Sequence, residues 1–203
     1  MGPPLSEHTS HAASSLKEQL EEILEVQRQR AEVYSAFSSG FKEYLDTGTE
    51  ANYRSLMAAM TSEFSSLSKR ALAVESALKD ELHRADIANI VRTVQNQERR
   101  KLELTLGQQA LRAAVEQHRF SWQHGDRSAI GGEAGCCSHV HGHVHDAACG
   151  GGEETLPSAA PVEPSEADIK GATKESTQEL QLCIEAINDA IAELQELREE
   201  LTN

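Results

Sequence analysis

The sequence has few aromatic residues and no long apolar run. Aromatic side chains make up 4% of the 203 residues, and all hydrophobic types together make up 38%. This composition favours long helices that each bury one stripe, rather than the broad core of a sandwich or barrel. No stretch approaches the ~18 apolar residues of a membrane span, and the N-terminus lacks the apolar core of a secretory signal or the arginines of a transit peptide. We therefore expect a protein of the nucleus or cytoplasm.

Motifs that carry catalysis are also missing. The sequence contains no G-x-S-x-G elbow, no Walker-type phosphate loop, no H-E-x-x-H helix and no G-x-G-x-x-G turn. Carboxylates are abundant, but on helical patterns of this kind we expect them at solvated positions, where nothing tunes their pKa for acid–base work. We predict that the protein is not an enzyme and needs no cofactor.

Positive charge is scarce, above all in the C-terminal part. Residues 1–122 hold 15 basic and 17 acidic residues, a net charge of −2, whereas residues 123–203 hold 4 basic and 16 acidic residues, a net charge of −12. Six basic residues lie along the predicted third helix: Arg92, Arg99, Arg100, Lys101, Arg112 and Arg119. They share no single stripe, and nearby Glu98 and Glu103 indicate ordinary pairing within the helix. The pattern argues against direct nucleic-acid binding.

Helical periodicity dominates the N-terminal part. Apolar residues recur at steps of three and four from Leu16 to Leu45, which places them on one face of a long helix. Ser15 and Glu18 form a capping-box pattern that predicts the start of this helix, and Gly48 suits the left-handed residue at its end. Gly40, inside the helix, indicates either close approach by another helix or a slight kink.

Two further helices are predicted over residues 52–79 and 86–118. The first has a heptad pattern, and the short connection at residues 46–51 forces an antiparallel hairpin. Phe120 and Trp122, after the third helix, either fold back onto the bundle or are incidental exposed aromatics. The sequence thus predicts an all-α protein, a coiled-coil-like bundle of three to four helices. Its parts are a disordered N-terminus (1–14), a helical domain (15–122), a disordered linker (123–164) and an acidic C-terminal helix (165–203).

The linker is rich in glycine, histidine and cysteine. Imidazole and thiolate are good ligands for Zn or Ni, and alternate residues of an extended strand share a face. The candidate metal ligands are Cys136, Cys137, His139, His141, His143, His145 and Cys149. Their spacing matches no closed structural zinc site, and no surrounding residues fix their geometry. A solvated linker with adventitious metal binding is the favoured interpretation.

The C-terminal helix has a cap pattern at Ser165 and Asp168 and one apolar stripe among acidic faces. Such a helix does not remain alone in water. It either completes a four-helix bundle with the first three helices or pairs with another chain, so a homo-oligomer stays open. A further hypothesis is that this helix competes with a partner for an apolar groove of the bundle.

Several ordered segments carry a resemblance to a known family: QRQRAEVYSAF, GFKEYLDTG, YRSLM, LSKRALAVESAL and VQNQERRKLELT. The positions within the first three segments that carry it are Gln27, Arg30, Ala31, Gly40, Phe41, Tyr44, Leu45, Gly48 and Tyr53. The pattern resembles the required for excision 1-B domain, a small helical family tied to excision repair of DNA, and the resemblance covers roughly residues 16–118. The resemblance implies a role in DNA repair and supplies no catalytic residues.

An aromatic cluster near the first hairpin is the candidate partner-binding site. It contains Tyr34, Phe37, Phe41, Tyr44 and Tyr53. Packing beside the turn is the preferred interpretation, and an anchor site for a partner is the alternative. The predicted function is a non-enzymatic helical adaptor in DNA excision repair, with repair or transcription-linked factors as partners. The alternatives are a cytosolic coiled-coil scaffold unrelated to DNA and a histidine-rich metal-buffering protein.

Overall fold

The computed structural model describes residues 5–124 and 163–202, with side chains from residue 13 onward. Four long helices account for most of these residues: α1 (Leu5–Thr47), α2 (Glu50–Ser76), α3 (Ala85–Glu116) and α4 (Glu166–Glu200). The described residues contain no β-strand. The predicted all-α fold is confirmed.

Helix α1 begins ten residues earlier than the sequence pattern predicts. It spans 43 residues, about 65 Å at the rise of an α-helix. The prediction that Ser15 and Glu18 cap its start is wrong, because the chain is already helical from Leu5. After Pro4 no proline or glycine interrupts residues 5–14, and the helix continues through them. Ser14 Oγ instead donates to Glu18 within the helix, at 3.4 Å.

Helices α1 and α2 form the predicted antiparallel hairpin. Gly48 follows the last residue of α1 with a φ of +69°, the left-handed conformation that the sequence predicts there. Gly40 lies against Leu56 of α2, and a Cβ built on Gly40 would meet Leu56 Cδ2 at 2.1 Å. Close approach of α2 therefore accounts for the glycine inside α1.

A tight turn joins α2 to α3. The last turn of α2 widens into a π-helical turn at Ala77–Glu81, and His83 adopts a φ of +53°. The Arg84 amide closes this turn by donating to the Leu78 carbonyl at 2.8 Å. The connection is short enough to make α3 antiparallel to α2.

Helix α4 completes the bundle by packing against α3 and α1. The capping box at its start is present as predicted, with the Ser165 hydroxyl accepting from the Asp168 amide at 3.2 Å. Arg100 of α3 donates to both carboxylate oxygens of Glu179 in α4, at 2.6 and 2.7 Å. The buried stripe of α4 consists of Ile169, Cys183, Ile187, Ala190 and Leu194.

The aromatic pair after α3 holds the start of α4. Phe120 and Trp122 stack with ring centroids 5.5 Å apart, and Trp122 Nε1 donates to the Pro164 carbonyl at 3.0 Å. The Ser121 amide and hydroxyl both donate to the Glu163 carboxylate at 2.6 Å. These contacts link the residues on either side of the range 125–162. That range contains nearly all of the predicted linker and lies outside the described part of the chain.

The apolar core lies at the end of the bundle where α2 turns into α3. It is built from all four helices, and Leu194 is its contribution from α4. The members without exposed surface include Leu20, Ile23, Val26, Ala71, Leu78, Ile87, Val91 and Leu194. Among the described helices, none is both long and apolar enough to cross a membrane.

Candidate interaction groove

An open groove, here called the apolar groove, lies between α2 and α3 beyond the core. Its volume is about 350 Å³. The lining residues are Phe37, Met57, Met60, Thr61, Phe64, Ser65, Ser68, Leu102 and Leu106. Phe37 of α1 is 1% exposed and forms the floor, while the methionines and leucines of the walls are half-buried. Methionine suits such a surface, because its flexible, polarizable side chain adapts to different occupants.

Helices α2 and α3 touch on both sides of the apolar groove. At one side the Tyr53 hydroxyl donates to Gln109 Oε1 at 2.9 Å. At the other side Gln95 Nε2 of α3 donates to the Ser68 carbonyl of α2 at 3.3 Å. The α2 residues that line the groove, from Met57 to Ser68, span about 16 Å at about 1.5 Å per residue. A partner helix of about three turns fits this length.

A second depression, here called the polar cleft, continues the apolar groove toward the core. Its volume is about 210 Å³, and Phe64, Ser68 and Leu102 line both spaces. The other lining residues of the polar cleft have charged or amide side chains, apart from Tyr34 and Leu72: Arg30, Tyr34, Leu72, Glu75, Arg92, Gln95, Asn96, Glu98 and Arg99. The shared residues place the two spaces side by side, one mainly apolar and the other mainly polar.

A buried polar network lies beneath the polar cleft. Arg30 of α1 is 3% exposed and donates through Nη2 to Ser68 Oγ at 3.3 Å and also to Gln95 Oε1. In the amide orientation that satisfies both neighbours, Gln27 accepts from Arg30 Nη1 at 2.9 Å and donates to Glu98 Oε1 at 3.1 Å. The network joins α1, α2 and α3.

Lys101 and Tyr34 complete the surroundings of Glu98. Lys101 Nζ lies 3.6 Å from Glu98 Oε1 and 3.8 Å from the centroid of the Tyr34 ring. The Tyr34 hydroxyl donates to the Glu98 carbonyl at 3.4 Å. Glu98 Oε2 is buried and has no hydrogen-bond partner among the described residues. An unsatisfied buried acceptor costs about 1–3 kcal/mol, so Glu98 depends on its cationic neighbours.

Burial changes the pKa values of this network. It lowers the pKa of Arg30 and of Lys101 below their ordinary values, against the opposing attraction of Glu98. It raises the pKa of the Tyr34 hydroxyl, and the charge of Glu98 adds to that rise. Tyr34 therefore remains a neutral donor at physiological pH.

The part of the chain that contains both spaces is similar to a known protein family. A family model described as DNA repair REX1-B matches residues 18–112. These residues, here called the REX1-B region, are similar to that DNA repair family. The match confirms the resemblance drawn from the sequence and ties the region to DNA repair. No curated protein and no solved structure is significantly similar to the chain.

The apolar groove and the polar cleft lie wholly within the REX1-B region, whereas α4 lies outside it. No residue of α4 lines either space. In this structure α4 does not occupy the groove for which it was expected to compete with a partner. It packs on α3 and α1 instead.

The predicted aromatic cluster of the REX1-B region is mainly interior. Phe37, Phe41 and Tyr44 are buried, and the Tyr44 and Tyr53 rings stack with centroids 4.5 Å apart. Tyr34 packs against Phe64 at 4.8 Å. The structure thus brings Phe41, Tyr44 and Tyr53 together, whereas Tyr34 pairs with Phe64 instead. Phe37 reaches the apolar groove and Tyr34 reaches the polar cleft.

The basic residues of α3 do not form one patch. Arg92 and Arg100 pair with Glu75 and Glu179, and Lys101 pairs with Glu98 as the spacing predicts. Arg99 is exposed at the polar cleft. The expectation that carboxylates occupy solvated positions is wrong for Glu75 and Glu98, which are 6% and 7% exposed. Each is stabilised by an ion pair, Glu75 with the more exposed Arg92 and Glu98 with Lys101.

The candidate metal ligands Cys136, Cys137, His139, His141, His143, His145 and Cys149 lie outside the described residues. Within the described ranges, no group of three or more His, Cys, Asp or Glu side chains is arranged to hold a metal ion.

Sequence reasoning missed the residues that make the groove. Met57, Met60, Leu102 and Leu106 follow the helical pattern of a buried stripe, and nothing in that pattern distinguishes a stripe covered by a neighbour from one left open. A signal for the buried polar network was present. The polar stretch at residues 95–101 interrupts an otherwise apolar face of α3, and Gln27 and Arg30 interrupt the face of α1.

Proposed function

We propose that the protein is a non-enzymatic adaptor in DNA excision repair, and that the apolar groove receives an apolar helix of a protein partner. The open groove of Met57, Met60, Leu102 and Leu106 carries this proposal. Apolar side chains that a bundle leaves uncovered are typical of helix-in-groove recognition, where a partner helix supplies anchors at spacings of three and four.

The composition of the two spaces supports a binding role over a catalytic one. Neither space is lined by histidine or cysteine, and the acids Glu75 and Glu98 each pair with a cation. A general acid or base needs a free proton-transfer site in reach of substrate. The polar groups instead join three helices and so hold the groove walls in place.

The similarity of the REX1-B region, which contains the groove, to a DNA repair family supports a role in repair. We expect the partners to be repair or transcription-linked factors and the site of action to be the nucleus. Direct contact with nucleic acid is not part of the proposal, because the cations of α3 are largely paired within the protein.

The test uses cells that lack the protein and are complemented with variants. Leu106→Asp places a charge in the groove wall, and Leu182→Asp is the matched control, since Leu182 is 64% exposed on α4. We expect wild type and Leu182→Asp to restore survival after ultraviolet irradiation, and Leu106→Asp to fail. Affinity capture before and after irradiation should recover excision-repair or transcription-linked factors with the first two proteins only.

Two outcomes would overturn the proposal. Cells without the protein that survive irradiation normally would remove the repair role. Full rescue by Leu106→Asp would remove the groove from the function. Circular dichroism melting of both purified variants shows whether loss of rescue reflects unfolding, and Met60→Gln provides a milder second change in the groove.

A further inference from the structure

The exposed charge along the polar cleft is cationic. Arg92, Asn96 and Arg99 follow one another at steps of four and three, so they share one face of α3. The Arg92 side chain is 60% exposed although it pairs with Glu75, and Arg99 is exposed. The acids of the same cleft, Glu75 and Glu98, are buried. An occupant therefore meets guanidinium and amide groups rather than carboxylates.

This cationic face continues directly into the apolar one. Leu102 and Leu106 follow Arg99 at steps of three and four on α3, and Leu102 lines both spaces. The two adjacent spaces together are thus cationic toward the core and apolar toward Gln109. This local positive charge contrasts with the net charge of the whole chain, which is −14. Salt at physiological concentration screens exposed charges beyond about 8 Å, so distant carboxylates have little effect on an occupant of the cleft. Local complementarity decides what docks there.

Resting on the proposed function, we infer that the occupant is an acidic amphipathic helix. Its apolar residues, spaced at i, i+4 and i+7, fill the apolar groove over Phe37, and carboxylates one turn beyond pair with Arg99 and Arg92. A carboxylate matches the planar fork of a guanidinium and accepts two hydrogen bonds from it. A basic helix would place ammonium groups against these arginines and bind less tightly.

The test uses two synthetic peptides stapled into helices. Both carry leucine at i, i+4 and i+7, and one turn beyond they carry either two glutamates or two lysines. Binding to the full-length protein is measured by fluorescence anisotropy, and contact with the groove by methyl NMR shifts of Met57 and Met60. We expect the glutamate peptide to bind about fivefold more tightly than the lysine peptide, and Arg99→Glu to abolish or reverse that preference.

Arg112→Glu is the matched control, because Arg112 is exposed on the same helix but lies beside Phe41 and Asp46, away from the groove. This variant should keep the preference for the glutamate peptide. Equal binding of both peptides, or no effect of Arg99→Glu, would overturn the inferred acidic partner while leaving helix docking intact.

Failure of the docking site itself has different signatures. Methyl signals of Met57 and Met60 that respond to neither peptide would remove the groove as a docking site, and with it the mechanism proposed above. Signals that move on dilution, together with a dimer in sedimentation, would show that a second copy of the chain occupies the groove and would also overturn the inference.

Discussion

The two halves of the bundle differ in how their helices are held together. Around Leu78 and Ile87 all four helices meet in an apolar core without exposed surface. From Arg30 toward Gly48, α2 and α3 are joined by polar contacts such as Tyr53 to Gln109 and Gln95 to Ser68, and an apolar space stays open between them. The comparison indicates that the first half supplies stability and the second half supplies a surface.

The largest difference should appear when a large side chain is truncated in each half. Leu78→Ala removes a side chain without exposed surface and should reduce the free energy of unfolding by about 2–5 kcal/mol, since a cavity remains. Met60→Ala, in the half-buried groove wall, should cost about 1 kcal/mol or less. Urea unfolding followed by circular dichroism measures both. Equal losses would contradict the division into two halves.

The polar network gives the next largest effect. Arg30→Met leaves the buried Glu98 with Lys101 as its neighbouring cation, and we expect a loss of about 3 kcal/mol in unfolding free energy. Arg28→Met is the control, because Arg28 pairs with Glu25 and Glu32 on the exposed face of the same helix. We expect its urea midpoint to match that of wild type. A stable Arg30→Met variant would mean that Arg30 does not compensate the charge of Glu98.

The smallest effect separates two glycines of the groove half. Gly107 is helical with no atom within 4 Å of a built Cβ, so Gly107→Ala should stabilise by about 1 kcal/mol through helix propensity. Gly40→Ala gains the same propensity but collides with Leu56, so we expect little net change. Thermal melting reports both.

A second background isolates the collision at Gly40. When Leu56→Ala is already present, Gly40→Ala should stabilise by about 1 kcal/mol, as at Gly107. If Gly40→Ala remains neutral or destabilising in that background, the close approach of α2 is not the reason for the glycine.

Much of the fold follows from local features of the sequence. The periodicity around Leu16–Leu45, the left-handed residue Gly48 and the cap at Ser165 each predict a helix or its end, because neighbours three and four residues apart decide them. The sequence pattern does not predict the start of α1 correctly. A capping pattern at Ser15 does not begin the helix there, because the preceding residues 5–14 contain no proline or glycine and are helical as well.

The site followed less directly from the sequence. The sequence predicts a cluster of aromatic residues, but their role in packing or binding depends on which helices cover them. Phe37 lines the apolar groove and Tyr34 lines the polar cleft, whereas Phe41 and Tyr44 line neither of these two spaces. Which residues of a stripe remain uncovered is a property of helix spacing, and no single helix contains that information.

The sequence by itself determined that the protein is helical, that its first two helices form a hairpin and that residues 18–112 are similar to a DNA repair family. Tertiary structure alone decided that α4 packs on α3 and α1, that Glu98 and Arg30 are buried together, and that a groove stays open between α2 and α3. Helical periodicity is encoded within a few residues, whereas burial and open surface arise only when helices distant along the chain pack against one another.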